Sequence, residues 1–126
     1  MDQRHRAARR EPTAVQLAAA SETFDLLSVP GRLHLVCLLA EGETDVSTLA
    51  ERTRASIAST SQQLAKLRAA GVVAARRDGR RQLYRVDDPN IMVIVDAMLA
   101  HIAPDGTIAQ ETDPRRPPRL PRFAVR

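Results

Sequence analysis

The fold is decided by residues 56–86, SIASTSQQLAKLRAAGVVAARRDGRRQLYRV, where a helical pattern is followed by a hairpin pattern. Ser56 can cap a helix, because its hydroxyl can accept a hydrogen bond from a free backbone N–H group of the first turn. Three residues recur at the helical period and share one face: Thr60, Leu64 and Leu67. After Gly71 the period changes to two, and Asp78-Gly79 lies between two runs rich in strand-forming residues. The stretch therefore predicts one helix followed by a tight β-hairpin.

Helix signals precede and follow this stretch. The predicted helices begin near Thr13, at Pro30, after the cap Asp45 and after Asp88-Pro89, and the last one runs to Ile102. Four helices, a hairpin and a final helix are the element order of a winged helix-turn-helix. We therefore predict a mainly α fold with a small β-hairpin.

The chain is short enough to form a single domain. It has 126 residues, of which 44% are hydrophobic and only 2% aromatic, so we expect one aliphatic core. Residues 13–103 form the predicted folded unit. Residues 1–12 are predicted to be a flexible basic arm, and residues 104–126, where Pro alternates with Arg, a disordered tail.

Charge is segregated along a chain whose net charge is +4. Residues 22–51 hold six acids and one base, whereas residues 52–85 hold nine bases and one acid. Five arginines crowd the predicted hairpin: Arg76, Arg77, Arg80, Arg81 and Arg85. Like charges at this density repel each other unless phosphates neutralise them, so the pattern favours a nucleic-acid partner. The alternatives are a solvated basic face and a dimeric interaction module that contacts an acidic protein.

The exposed side of the helix capped by Ser56 is polar and carries no acid. Ser59, Gln62 and Lys66 lie opposite its apolar face, with Ser61 and Gln63 on the flanks. Ser and Gln can hydrogen-bond base edges in the major groove, while arginines position a duplex through its phosphates. We therefore predict that ten residues contact double-stranded DNA: Ser56, Ser59, Ser61, Gln62, Gln63, Lys66, Arg76, Arg77, Arg80 and Arg81.

The last predicted helix is apolar on nearly all sides, and one small core cannot bury it completely. We expect its second face to pack against another subunit, which makes a symmetric homodimer through the terminal helices the simplest assembly. The predicted interface residues are Ile91, Met92, Val95, Met98 and Leu99. Such a dimer presents two reading helices to successive major grooves, about 34 Å apart, of a pseudo-palindromic operator.

Residues 28–103 resemble the ArsR/SmtB family of dimeric winged-helix regulators. The resemblance rests on four stretches, which are RLHLVCLLAEG (32–42), Leu49-Ala50, SQQLAKLRAAGVV (61–73) and RRDGR (76–80). It implies a homodimeric, sequence-specific transcriptional regulator, more often a repressor that leaves DNA when metal binds. Family members insert the helix matching Ser56 to Ala70 into the major groove, and Gln63 stands where many of them have His.

The metal ligands that the resemblance implies are incomplete in this chain. Arsenic- and cadmium-type members carry Cys-Val-Cys where residues 43–47 are ETDVS, so both thiolates are missing. A second family site has the pattern Asp-x-His-x10-His-x-x-Glu or His, against which the chain offers Asp88, Asn90, His101 and Pro104. A mixed N/O site suits nickel, cobalt or zinc, with Asp88 and His101 as ligands and His5 and Asp105 as candidate helpers.

Alternatives to metal sensing stay open at this point. Asp88 can simply cap the last helix, and His101 can favour the helix C-terminus, where positive charge is stabilised. A divergent member of this kind would respond to a co-regulator protein or a small molecule instead. His34, Cys37 and Glu41 have the helical spacing of a ligand trio on one face, although Cys in an apolar helix is more often core packing.

Several classes of protein are disfavoured. The chain has no glycine-rich phosphate loop and no paired nucleophile and base, so we expect no enzyme and no cofactor beyond the candidate metal. The longest apolar run, residues 91–95, is far shorter than the roughly 20 residues of a membrane span. Cys37 is the single cysteine, and the N-terminus lacks the apolar stretch of a signal peptide. These features predict a cytoplasmic protein without a membrane partner.

Overall fold

The computed structural model describes residues 10–108 and confirms the predicted winged helix-turn-helix. Its helices are α1 (Ala14–Leu27), α2 (Pro30–Glu41), α3 (Val46–Thr53), α4 (Ile57–Ala69) and α5 (Pro89–Ala100). Its strands are β1 (Thr44–Asp45), β2 (Val73–Asp78) and β3 (Arg81–Val86). The predictions for residues 1–9, including the helper ligand His5, and for residues 109–126 lie outside the described residues.

Side-chain caps explain where most helices begin. The Thr13 and Gln16 side chains form a reciprocal capping box at the start of α1. Asp45 accepts from the Thr48 N–H at the start of α3, and Ser56 accepts from the Ser59 N–H at the start of α4. The α2 helix has no side-chain cap, but Pro30 in its first turn has the backbone conformation a helix needs.

The sheet contains a strand that the sequence did not predict. Its order is β1-β3-β2, and both pairings are antiparallel, with Thr44 opposite Tyr84 and Asp45 opposite Leu83. The hairpin loop is also displaced by one residue from the predicted Asp78-Gly79. Asp78 pairs with Arg81, so the loop is Gly79-Arg80, and Gly79 has a φ of +62°, which suits glycine at the first loop position.

The core lies between α2, α3, α4, the sheet and one side of α5. The predicted buried face of α4 is confirmed, because Leu64 and Leu67 are 0% exposed and Thr60 is 2% exposed. The Thr60 hydroxyl donates to the Ser56 carbonyl oxygen, 2.9 Å away, so burial does not leave it without a partner. This packing fixes the opposite side of α4 toward solvent.

The ordered chain continues past the predicted domain boundary at residue 103. Ile102 and Ile108 form an antiparallel bridge, and the Ala103 N–H donates to the Thr107 carbonyl oxygen at 2.8 Å. The Asp105 side chain accepts from the Thr107 N–H, and Gly106, at a φ of +88°, completes the turn. Residues 104–108 therefore belong to the folded unit and correct the predicted start of the tail.

Within residues 10–108, no single helix combines the length and apolarity needed to cross a bilayer. The α1 and α2 helices reach that length only together, and they meet at an angle of 90°.

Candidate nucleic-acid interface

The α4 helix presents a polar surface opposite its buried face. Ser59, Ser61, Gln62 and Lys66 are exposed, as the helical spacing predicts. Ser56 uses its oxygen to accept from the Ser59 N–H at 3.0 Å, which leaves its hydroxyl hydrogen available as a donor. These side chains offer the donors and acceptors that base edges in a major groove require.

Gln63 differs from the other predicted DNA contacts. It is half-buried, and its Oε1 atom is shielded from solvent with no hydrogen-bond partner among the described residues. It lines a groove of about 250 Å³ together with His34, Thr53 and Ser59. Gln63 is therefore turned toward α2 and α3 rather than projecting freely from the α4 surface.

The arginines of the β2–β3 hairpin, residues 73–86, which we call the wing, fall into two groups. Arg76 and Arg81 pair with carboxylates from the β1 region, at 2.6 Å to Glu43 and 3.0 Å to Asp45. Arg77 and Arg80 are exposed and have no ion pair with any carboxylate in residues 10–108. The four predicted phosphate-binding arginines thus lie on one hairpin, and two of them, Arg77 and Arg80, have no carboxylate partner in the described part of the chain.

The acidic partners of the wing are functional candidates that sequence reasoning missed. The hydrogen bond from Arg76 lowers the pKa of Glu43, and the same contact raises the pKa of Arg76. Hydrogen bonding to Thr48 lowers the pKa of Asp45, with a further contribution from Arg81. The alternation of acidic and basic segments along the sequence was the available signal for these ion pairs. The strand that carries the acids, β1, has only two residues and is too short to recognise from periodicity.

The two predicted metal ligands do not meet within one chain. Asp88 is the N-cap of α5 and His101 is its C-cap, so they lie about 20 Å apart along an axis that rises about 1.5 Å per residue. Asp88 already accepts from the Asn90 N–H at 3.0 Å. Within residues 10–108, no three His, Cys, Asp or Glu side chains are close enough to hold a metal ion. One subunit therefore does not fit nickel, cobalt or zinc at these residues.

Asp105, the other described helper candidate, is also committed to a local contact. It accepts from the Thr107 N–H at 2.9 Å, and this hydrogen bond lowers the pKa of its carboxyl. The interaction stabilises the turn that carries Ile102 toward Ile108.

The suggested His34, Cys37 and Glu41 trio is not assembled. His34 lines the groove beside Gln63, whereas Cys37 and Glu41 line a separate groove of about 660 Å³ beside Asp96. Burial raises the pKa of the Cys37 thiol, and the charges of Asp96 and Glu41 raise it further. The raised pKa disfavours the thiolate, the form that binds soft metals and acts as a nucleophile.

The predicted dimer face of α5 needs correction. Ile91 and Val95 are 4% and 3% exposed and pack in the core of their own chain, so they are not available to a partner. Met98 and Leu99 remain exposed, as predicted. The apolar surface also includes residues that the prediction omitted, namely Val15, Leu17, Phe24, Val93 and Ile94. Phe24, Ile94, Met98 and Leu99 line one apolar groove, which marks a candidate interaction site on α1 and α5.

Sequence comparison identifies relatives of this winged domain. The family model described as bacterial regulatory protein, arsR family, matches residues 29–75. The HTH-type transcriptional regulator KmtR of Mycobacterium tuberculosis is 36% identical over 84 residues, which span 66% of this chain and 65%, just under two thirds, of KmtR. A biofilm growth-associated repressor of Xylella fastidiosa is 39% identical over 89 residues, covering 71% of this chain and 78% of that protein.

Structural comparison agrees with these matches. The solution structure of a homodimeric winged helix-turn-helix DNA-binding domain, Mb0332 from Mycobacterium bovis, superposes with a TM-score of 0.64 and 28% identity. The match covers 74% of this chain and 86% of that domain, which is described as a possible ArsR-family transcriptional regulator. The fold agrees with these similarities, and the chain belongs to the ArsR family of bacterial regulatory proteins.

Proposed function

We propose that this chain is a homodimeric transcriptional repressor that reads a pseudo-palindromic operator with α4 and holds the DNA backbone with its wing. The observation that carries the proposal is the acid-free α4 surface of Ser59, Ser61, Gln62 and Lys66, together with Arg77 and Arg80, which have no ion pair within residues 10–108. The polar side chains supply base recognition, and the arginines supply phosphate contacts. Such a repressor acts on chromosomal DNA and therefore in the cytoplasm.

The exposed apolar surface of α5 supports the homodimer in this proposal. The exposed apolar side chains of α5, Val93, Ile94, Met98 and Leu99, give two copies a surface to share. Two α4 helices related by a twofold axis can enter successive major grooves about 34 Å apart. The operator is then expected to contain two inverted half-sites.

The decisive experiment is a fluorescence-anisotropy titration of the protein onto the DNA upstream of its own gene. A scrambled duplex of the same length and base composition is the control. Binding at least about 1,000-fold tighter to the upstream DNA supports the proposal, because specific sites commonly exceed random DNA by that factor or more. Equal, salt-sensitive binding to both duplexes would overturn it in favour of a basic interaction module.

For the effector, we infer control by a small molecule or a co-regulator protein rather than by a divalent metal ion. The separation of Asp88 and His101 at opposite ends of α5 favours this alternative. The same titration tests it, first in chelator and then with nickel, cobalt or zinc. A tenfold change in operator affinity, about 1.4 kcal/mol of coupling, would overturn it and imply ligands shared between subunits.

A further inference from the structure

Two wing arginines are held by carboxylates from the segment that precedes α3. Arg76 donates through Nε and Nη2 to both carboxylate oxygens of Glu43, at distances of 2.6 to 3.0 Å. Arg81 donates through Nε to Asp45 Oδ2 at 3.0 Å, and its Nη2 lies 3.0 Å from the same oxygen. A guanidinium fork binds a carboxylate and a phosphate with the same geometry. Glu43 and Asp45 therefore occupy guanidinium N–H groups through which Arg76 and Arg81 would bind a phosphate.

The carboxylates are less exposed than the arginines, and Asp45 has further contacts of its own. Pairing of β1 with β3 places Asp45 opposite Leu83, and Asp45 also accepts from the Thr48 N–H at 2.9 Å as the cap of α3. The side chains of Glu43 and Asp45 are 26% and 22% exposed, against 51% and 58% for Arg76 and Arg81. The more exposed arginine side chains are thus the members of these pairs that an approaching duplex can reach.

Exposed ion pairs of this kind are weak, because water screens both charges. Duplex DNA offers a dense row of phosphates and releases its counterions when arginines bind. An approaching duplex can therefore compete for both forks. After exchange, a bare carboxylate remains beside the DNA and opposes binding through like-charge repulsion.

We propose that Glu43 and Asp45 compete with the DNA backbone for Arg76 and Arg81, and thereby hold operator affinity below the level that the wing arginines alone would reach. The inference rests on the proposed function and names residues that tune the same site. Arg77 and Arg80 can then bind phosphates directly. Arg76 and Arg81 must first exchange a carboxylate partner for a phosphate.

The test is Glu43→Gln, which keeps the side-chain shape and removes the charge. We expect operator affinity to rise by about threefold to tenfold, and the slope of log affinity against log salt to steepen by up to about one unit, because one more arginine is free for a phosphate. The matched control is Glu51→Gln, which removes an exposed carboxylate of α3 that has no ion pair with a wing arginine within residues 10–108. Its affinity is expected to change less than about twofold.

A double-mutant cycle separates this exchange from a general effect of charge. In an Arg76→Gln background, Glu43→Gln is expected to leave affinity unchanged within about twofold, because the arginine it would release is gone. Asp45→Asn with Arg81→Gln provides a second cycle, and Asn can still cap α3.

Three outcomes would count against the inference. Weaker or unchanged binding by Glu43→Gln would make the ion pair a structural brace for the wing. An equal gain with and without Arg76 would assign the effect to the general field of the protein. A wild-type protein that binds no duplex overturns the proposed function and this inference with it, whereas normal wild-type binding with no gain in Glu43→Gln overturns the inference alone.

Discussion

Asp88 and His101 cap the two ends of α5, with the Asp88 carboxylate accepting from the Asn90 N–H and the His101 backbone N–H donating to the Met98 and Leu99 carbonyl oxygens. A residue that satisfies a free N–H group of a first turn stabilises its helix whether or not it ever meets a metal ion. Substitution of Asp88 can therefore test its role as a helix cap separately from any role as a metal ligand.

Asp88→Ala is expected to lower the free energy of unfolding by about 1 kcal/mol, because alanine cannot accept the capping hydrogen bond. Asp88→Ser should retain most of that stability, since serine is a good cap but removes the carboxylate. Denaturant unfolding at one fixed protein concentration measures both variants. If alanine and serine destabilise the protein equally, capping is not what Asp88 contributes.

Leu64→Ala is expected to destabilise the protein by about 2 to 5 kcal/mol, because it leaves a cavity in a fully packed core. Leu64 is 0% exposed and lies on the face of α4 that packs against the rest of the domain. The control is Ile57→Ala in the same helix, where a side chain that is 55% exposed should change stability by less than about 1 kcal/mol. Similar losses at the two positions in urea unfolding would contradict the packing described for α4.

The sequence predicted the elements whose patterns are strong and left open those whose patterns are ambiguous. The face of Thr60, Leu64 and Leu67 was predictable because polar residues mark the other side of α4. The α5 helix is apolar on nearly all sides, so periodicity could not tell buried Ile91 from exposed Val93. Only the packing of α5 against its own core distinguishes them.

Periodicity also could not predict the loop residues of the hairpin or the ion pairs of the wing. Gly79 belongs to both possible two-residue loops, Asp78-Gly79 and Gly79-Arg80, and the strand register decides between them. The contact between Glu43 and Arg76 spans 33 residues and depends on β1, which contains two residues. Charge segregation predicted a basic wing, but not that acids from a distant segment would hold part of it.

Gln62→Ala is expected to reduce operator affinity about tenfold while leaving affinity for a scrambled duplex unchanged, because the lost amide contacts bases. Arg80→Ala should weaken binding to both duplexes alike and make the salt slope shallower by about one unit, because it removes a phosphate contact. Gln62 and Arg80 are both exposed, so neither variant should disturb the core. Anisotropy titrations at several salt concentrations measure both, and equal losses on the two duplexes for Gln62→Ala would refute its assignment as a base reader.

Met98→Glu is expected to shift the protein from dimer to monomer, because it places a charge in the apolar surface shared by α1 and α5. Met98 is 55% exposed and lines an apolar groove with Phe24 and Ile94. Gln82→Glu adds the same charge on the exposed wing and serves as the control. Sedimentation velocity at micromolar concentration distinguishes the two species, and a Met98→Glu protein that stays dimeric would move the interface elsewhere.

Acid is expected to destabilise the fold partly through Asp45, whose pKa is lowered by hydrogen bonding to Thr48 and by Arg81. A carboxyl with a lower pKa in the folded state than in the unfolded state contributes stability that is fully present above its unfolded pKa, about 3.9, and is lost as the pH falls through the folded value. Asp45→Asn keeps a capping side chain but cannot titrate, so the stability difference between wild type and this variant should stay constant from pH 7 to about 5 and shrink as the pH falls further toward 3. Glu51→Gln, which removes an exposed carboxylate from the same helix, is the control. Urea unfolding at each pH measures the differences, and a constant gap between wild type and Asp45→Asn would mean that the Asp45 carboxylate gains nothing from Thr48 and Arg81 in the folded state.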